Sequence, residues 1–137
     1  MAELVTQEVA TKEVNSWLDY KHISDADRED FKSHITGLID SVKDGTLTIN
    51  QETFEITQKI KFPFDIGANV LSELKFKARA TTGEITAKIE GMKVAASNGD
   101  GRLKAILCVL TGQSWGAIGK MDTVDTKVSN NVVVFFL

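Results

Sequence analysis

Two histidines, one cysteine and two acidic, turn-rich stretches are the places where this chain could do chemistry. His22 and His34 have no cysteine or carboxylate around them at metal-ligand spacing, so the pattern of a zinc site is missing. His34 falls beside the apolar stripe of a helical segment, where a half-buried structural histidine is the ordinary outcome. Cys108 sits inside Ile-Leu-Cys-Val-Leu and reads as a small buried hydrophobe rather than a nucleophile. The stretch SNGDGR (97–102) has glycines, but it follows a helical pattern and lacks the lysine of a phosphate-binding loop. SDADREDF (24–31) has acids without the central glycine and closing glutamate of a calcium loop, and helix capping accounts for them. No catalytic, metal-ligating or cofactor-binding residue is assigned, and the expectation is a protein that is not an enzyme.

Composition narrows the remaining classes. The chain has 137 residues, a net charge of -3 and a pI near 5.4. TTGEITAKIEGMK (81–93) and TGQSWGAIGKM (111–121) could each be half of a helix-turn-helix. Neither is rich in the Arg, Asn or Gln residues that read base edges, and the acidic balance opposes nucleic acid. No apolar run approaches the length of a membrane span, and the acidic start does not read as a secretion signal. A lone cysteine fits a reducing compartment, so the expected location is a cytoplasm.

The elements come from periodicity. Residues 1–22 read as an arm or weak helix, with Val14, Trp17 and Leu18 on one helical face. A single α+β domain is expected over 23–137. Ser24 caps a helix over 24–43, whose stripe is Phe31, Ile35, Leu38, Ile39 and Val42 and whose end is closed by Gly45. Period two then predicts strands over about 46–50, 53–64 and 70–79. Phe54, Ile56, Ile60, Phe62 and Phe64 are assigned inward on one strand, and Val70, Leu74, Phe76 and Ala78 on the next. A helix also fits 70–79, but the polar odd positions favour a strand and a small antiparallel sheet with one wet face. Helices follow over about 83–95, 102–111, 115–120 and 124–136. Thr81 and Glu84 are spaced as a capping box, with Ile85, Ile89 and Met92 as a buried stripe. SNGDG reads as a flexible loop, Ser114 as one cap, and Asp122 or Thr123 as the last. The fold class is therefore α+β: an N-terminal helix, a small antiparallel sheet and a helical C-terminal half.

The last residues hold an excess of apolar surface. Val132 to Leu137 are consecutive, so a helix displays them all round, and they either dock into the chain's own core or meet a partner. A partner groove between helices is predicted from Leu103, Ile106, Leu107, Leu110, Trp115, Ile118, Val132, Phe135 and Phe136.

One ordered series in the second half resembles a known family. It runs from the strands over 53–64 and 70–79 to Thr81-Thr82-Gly83-Glu84-Ile85, then Leu110-Thr111-Gly112. The short segment of Ile118 and Met121, the pair Asp122 and Asp125, and Phe135-Phe136-Leu137 complete it. In that order, over about 53–137, the series resembles the tail assembly chaperones of long-tailed bacteriophages, in particular the Mu-like and P2-like contractile-tail groups. The chain departs from them in its long N-terminal extension and in Ala80, where a proline is common. The resemblance implies a non-enzymatic protein of the host cell cytoplasm that binds the tape measure protein and passes it to tail tube subunits. It also implies self-association, absence from the finished particle and, in many members, a longer frameshifted form. The alternative expectation is a structural virion subunit of the baseplate or tail-completion type.

Overall fold

Ala10, Val14, Trp17 and Leu18 recur on one helical face, and in the computed structural model they drive helix α1 (Gln7–Tyr20) into the core. The model describes residues 5–93 and 98–137. Thr6 caps α1 by accepting a hydrogen bond from the amide of Val9 at 3.2 Å. Residues 1–4 of the expected arm lie outside the described residues. From Gln7 onward the segment is a helix, because its apolar positions find buried partners rather than water.

The helix expected over 24–43 is two helices. Ser24 caps the short α2 (Asp25–Asp30), and α3 (Lys32–Lys43) follows after a break at Phe31, whose φ of -104° and ψ of 25° leave helical geometry. No residue of α2 is buried. Its position is set by Arg28, which donates to Asp19 Oδ1 at 2.8 Å and to the Ile23 carbonyl at 3.0 Å. α3 is instead aligned by buried Leu38 and Val42. The break lets each helix follow its own constraint and turns the Phe31 ring onto Phe135, 5.5 Å between centroids. Gly45 follows α3 with φ +83°, a left-handed position that glycine fills without strain.

Strands β1 (Leu47–Ile49), β2 (Ile56–Ile66) and β3 (Asn69–Phe76) form an antiparallel sheet in the order β1-β2-β3. β2 starts later than the period suggests because Asn50 organises a turn. Its side chain accepts from the amides of Glu52 and Thr53, and Phe54 takes φ +60° with its ring stacked on Tyr20. The β2–β3 register then changes. Lys59 faces Glu73 but Phe64 faces Leu71, so residues 60–63 bulge opposite Ser72 alone. That odd shift exchanges the faces. Phe62 and Val70, expected inward, are 53% and 59% exposed, while Leu71 is buried.

After the sheet come α4 (Thr82–Gly91), α5 (Gly99–Thr111), α6 (Trp115–Ile118) and α7 (Thr123–Val133), which ends in a 3-10 turn over Val134–Phe136. The capping box of α4 is formed: Thr81 Oγ1 accepts from the Glu84 amide, and Glu84 Oε1 accepts from the Thr81 amide. Its stripe is not buried as expected. Ile85 and Ile89 are half-buried and Met92 is 40% exposed, because among the described residues α5 is the main neighbour of this helix. Residues 94 and 95 of the expected 83–95 helix, and Ser97 of the expected loop, lie outside the described residues. The rest of that loop is the first turn of α5, since Asn98 Oδ1 caps the amide of Gly101 at 2.9 Å. Gly112 ends α5 with φ +71°.

One hydrophobic core joins all these layers. Trp17, Leu38, Phe76, Leu107, Leu110 and Val132 are among its fully buried members.

Candidate partner-binding surface

The nine residues proposed as a groove separate into core and surface. Ile106, Leu107, Leu110 and Val132 are buried to within 1%, and Ile118 and Phe135 nearly so. These six are held by the sheet, α1 and α3, and in this fold they form a packed interior in place of the continuous open groove expected. Leu103, Trp115 and Phe136 remain half-exposed. The physical reason lies in the neighbours of α5: β3, α6 and α7 pack against it and cover the apolar face that the sequence pattern leaves without a named partner.

A smaller groove does open between α5, α6 and α7, with a volume of about 250 Å³. Leu103, Leu107, Ile118 and Met121 supply its apolar lining, and Lys104, Thr126 and Asn130 its polar rim. Lys104 is fixed by placing its ammonium 4.4 Å from the Trp115 ring centroid, a contact that also orients the indole. A second, larger groove of about 530 Å³ runs between α4 and α5, with Ala87, Met92 and Val109 as its apolar members and Glu84, Lys88 and Gln113 on its sides.

The wall of the first groove is positioned by a buried polar clasp. Asp122 caps α7 through the Val124 amide at 2.8 Å. Asp125, one turn in and completely buried, accepts from the amides of Lys61 at 2.8 Å and Phe62 at 3.1 Å. These are the bulge amides that have lost their strand partners. Gln58, also fully buried, donates Nε2 to the Asp125 carbonyl at 3.0 Å and accepts from Ser129 Oγ at 2.6 Å. The D-x-x-D step is thus one cap and one clasp, locking α7 to the sheet. Sequence reasoning offered Asp122 as a cap, named Asp125 without its role, and passed over Gln58 and Ser129. The available signal was Gln58 itself, a polar residue in the inward register between Ile56 and Ile60.

The terminal apolar run seals the core. Val132 to Phe135 are buried, Phe136 is half-buried, and Leu137 is 61% exposed. Trp17 meets Phe135 edge-on at 5.6 Å and Phe136 at 6.3 Å. Lys21 lies with Nζ 3.3 Å from the Phe136 centroid. Burial pushes the Lys21 ammonium down to about 8, and the charge of Arg79 adds to that shift.

Of the groups singled out for chemistry, His34 and Cys108 are held within the fold. His34 Nδ1 lies 2.8 Å from Asn131 Oδ1 and ties α3 to α7, whereas His22 is exposed in a left-handed turn. Cys108 is buried, and burial raises its thiol pKa against the opposing charges of Lys88 and Lys104. A thiol held protonated is a poor nucleophile. Among the described residues no three His, Cys, Asp or Glu side chains converge as a metal site, and no helix is long and apolar enough to cross a membrane. Compared with protein-family models, with curated proteins and with solved structures, the chain matches none.

Proposed function

We propose that this chain is a non-enzymatic tail assembly chaperone of a long-tailed bacteriophage, acting in the host cell cytoplasm to hold the tape measure protein during tail morphogenesis. The observation that carries the proposal is the apolar groove of α5, α6 and α7, about 250 Å³. Its frame is built from the segments that resemble the family. Leu110-Thr111-Gly112 ends α5 in a left-handed glycine, Trp115 to Met121 supplies the short helix, and Asp122 and Asp125 start and anchor α7. A groove of this size accepts one or two large apolar side chains, which is how an amphipathic helix docks its anchor positions. The long, helical tape measure protein presents such anchors repeatedly, so one small site serves many points along it. Tail tube subunits are then the acceptors of the client.

The test is co-expression with the tape measure protein of the same phage, followed by pull-down and mass analysis of finished particles. Capture of the client, with the chain missing from particles, supports the chaperone. The chain at fixed copy number in particles makes it a structural virion subunit instead. The variant Leu103→Asp, at a half-exposed lining position, is expected to abolish capture while leaving the melting temperature within a few degrees of the parent. Unchanged capture would place the client elsewhere.

A further inference from the structure

β3 is an edge strand, and the parity of its backbone shows which groups face outward. Lys59 of β2 donates to the Thr46 carbonyl on the β1 side. Hydrogen bonding alternates along an antiparallel ladder, so Ile56 and Gln58 face β3 and exchange bonds with Phe76 and Leu74. Glu73 and Lys75 therefore direct their amides and carbonyls away from β2, as does Lys77, whose amide donates to the Leu110 carbonyl at 2.9 Å. Among the described residues no hydrogen bond engages the outward groups of Glu73 and Lys75. Both residues are exposed, and their unengaged outward backbone groups make the edge a ready template for another strand.

We propose that two copies of this chain pair through the free edges of β3, antiparallel about a two-fold axis at Leu74, to form one continuous six-stranded sheet. The charges select this register. With the axis at Leu74, each Glu73 lies directly opposite the second copy's Lys75, and each of these two pairs also exchanges two main-chain hydrogen bonds. An axis at Glu73 sets glutamate against glutamate. One at Lys75 sets lysine against lysine and needs the Lys77 amide that Leu110 already occupies. Leu74 and Phe76 are buried on the inner face, so the apolar layer continues across the axis. The basic residues of this edge, Lys75, Lys77 and Arg79, repel most other strands, and Glu73 is the acidic group that permits this one. The inference concerns self-pairing alone and stands whatever client the α5–α6–α7 groove takes.

Sedimentation velocity over about 1–100 μM, spanning ordinary protein association constants, tests it on the full chain. The parent is expected to dimerise. Lys75→Glu and Glu73→Lys are each expected to weaken the dimer about tenfold or more, because two attractive cross-strand pairs become repulsive. The double exchange E73K/K75E restores both pairs and is expected to recover most of the affinity. Glu73 also faces Lys59 within the chain, so thermal melts accompany each variant. Lys75, opposite Thr57, is the cleaner probe should Glu73→Lys impair folding. A parent that is monomeric throughout, a dimer indifferent to Lys75→Glu, or a double exchange that fails to rescue would each overturn the proposal. So would a monomeric parent whose client binding alone responds to these variants, which would make the edge a client site.

Discussion

Asp125 is an acidic residue with no exposure, and the cost of burying it is offset by the amides of Lys61 and Phe62, which donate to its two side-chain oxygens. Asp125→Ala strands the amides of Lys61 and Phe62, while the Asp125 carbonyl that accepts from Gln58 and Ser129 is kept. The expected loss is about 2–4 kcal/mol in chemical denaturation, from unsatisfied buried groups rather than lost packing. A loss below about 1 kcal/mol would mean that water replaces the carboxylate at the bulge. Lys21 makes a pH prediction at the same scale. Its folded pKa of about 8 lies below the ordinary 10.5, so the folded chain releases its proton first as pH rises. Between about pH 8 and 10.5 the unfolded state binds more protons, and stability therefore increases with pH across that window. The Phe136 ring favours the charged ammonium and moderates the effect. Lys21→Met is expected to stabilise the protein at neutral pH and to flatten the pH dependence, both read from urea midpoints across the window. A steeper rise in the variant would refute this account.

At the level of elements, α3 and α7 approach closely at Gly37. A Cβ on Gly37 would stand 2.4 Å from Asn131 Nδ2, and Asn131 is the partner of His34. Gly37→Ala gains about 0.5–1 kcal/mol of helix propensity but displaces Asn131 and breaks that bond, worth a similar amount. The single variant is expected to change stability by less than about 1 kcal/mol. In an Asn131→Ala background the clash is gone, and the same substitution should then stabilise by up to about 1 kcal/mol. Additive effects in this double-mutant cycle would show that the close approach does not constrain the helix pair. Caps explain most element starts: Thr6, Ser24, Thr81, Asn98, Ser114 and Asp122 each accept an amide of their own helix. That is why the starts at Ser24, Thr81, Ser114 and Asp122 were legible from residue type, whereas the Thr6 and Asn98 caps and the uncapped start of α3 were not.

Across the whole molecule, α1 and the turn after α7 close on each other. Phe135 packs on Trp17 of α1 and on Phe31 beside α3, so the last turn completes a core that the N-terminal helix begins. Phe135→Ala is therefore expected to cost about 3–5 kcal/mol, as large-to-small aromatic changes in cores do. Phe136→Ala, half-exposed and held by Lys21, is expected to cost clearly less in the same denaturation experiment. Equal effects would count against the division of the pair into core and surface. This closure also explains why nine apolar residues that look like a groove along the chain resolve into a packed interior with three half-exposed members, Leu103, Trp115 and Phe136. Burial is a property of what lies opposite: β3, α6 and α7 lie against α5, and Trp17 of α1 lies against Phe135.

Sequence alone was enough for the α+β class, the strand assignment of 70–79 against its helical rival, the Thr81–Glu84 capping box and the left-handed Gly45. Each of these follows from residues a few positions apart, where period and capping chemistry act locally. Only the tertiary structure decided the break at Phe31, the bulge that turned Phe62 and Val70 outward, and the clasp of Gln58, Asp125 and Ser129. It also decided which apolar residues face a groove. These depend on groups some sixty or more positions apart, such as Lys61 with Asp125, and a local pattern has no term for a partner that only folding brings into reach.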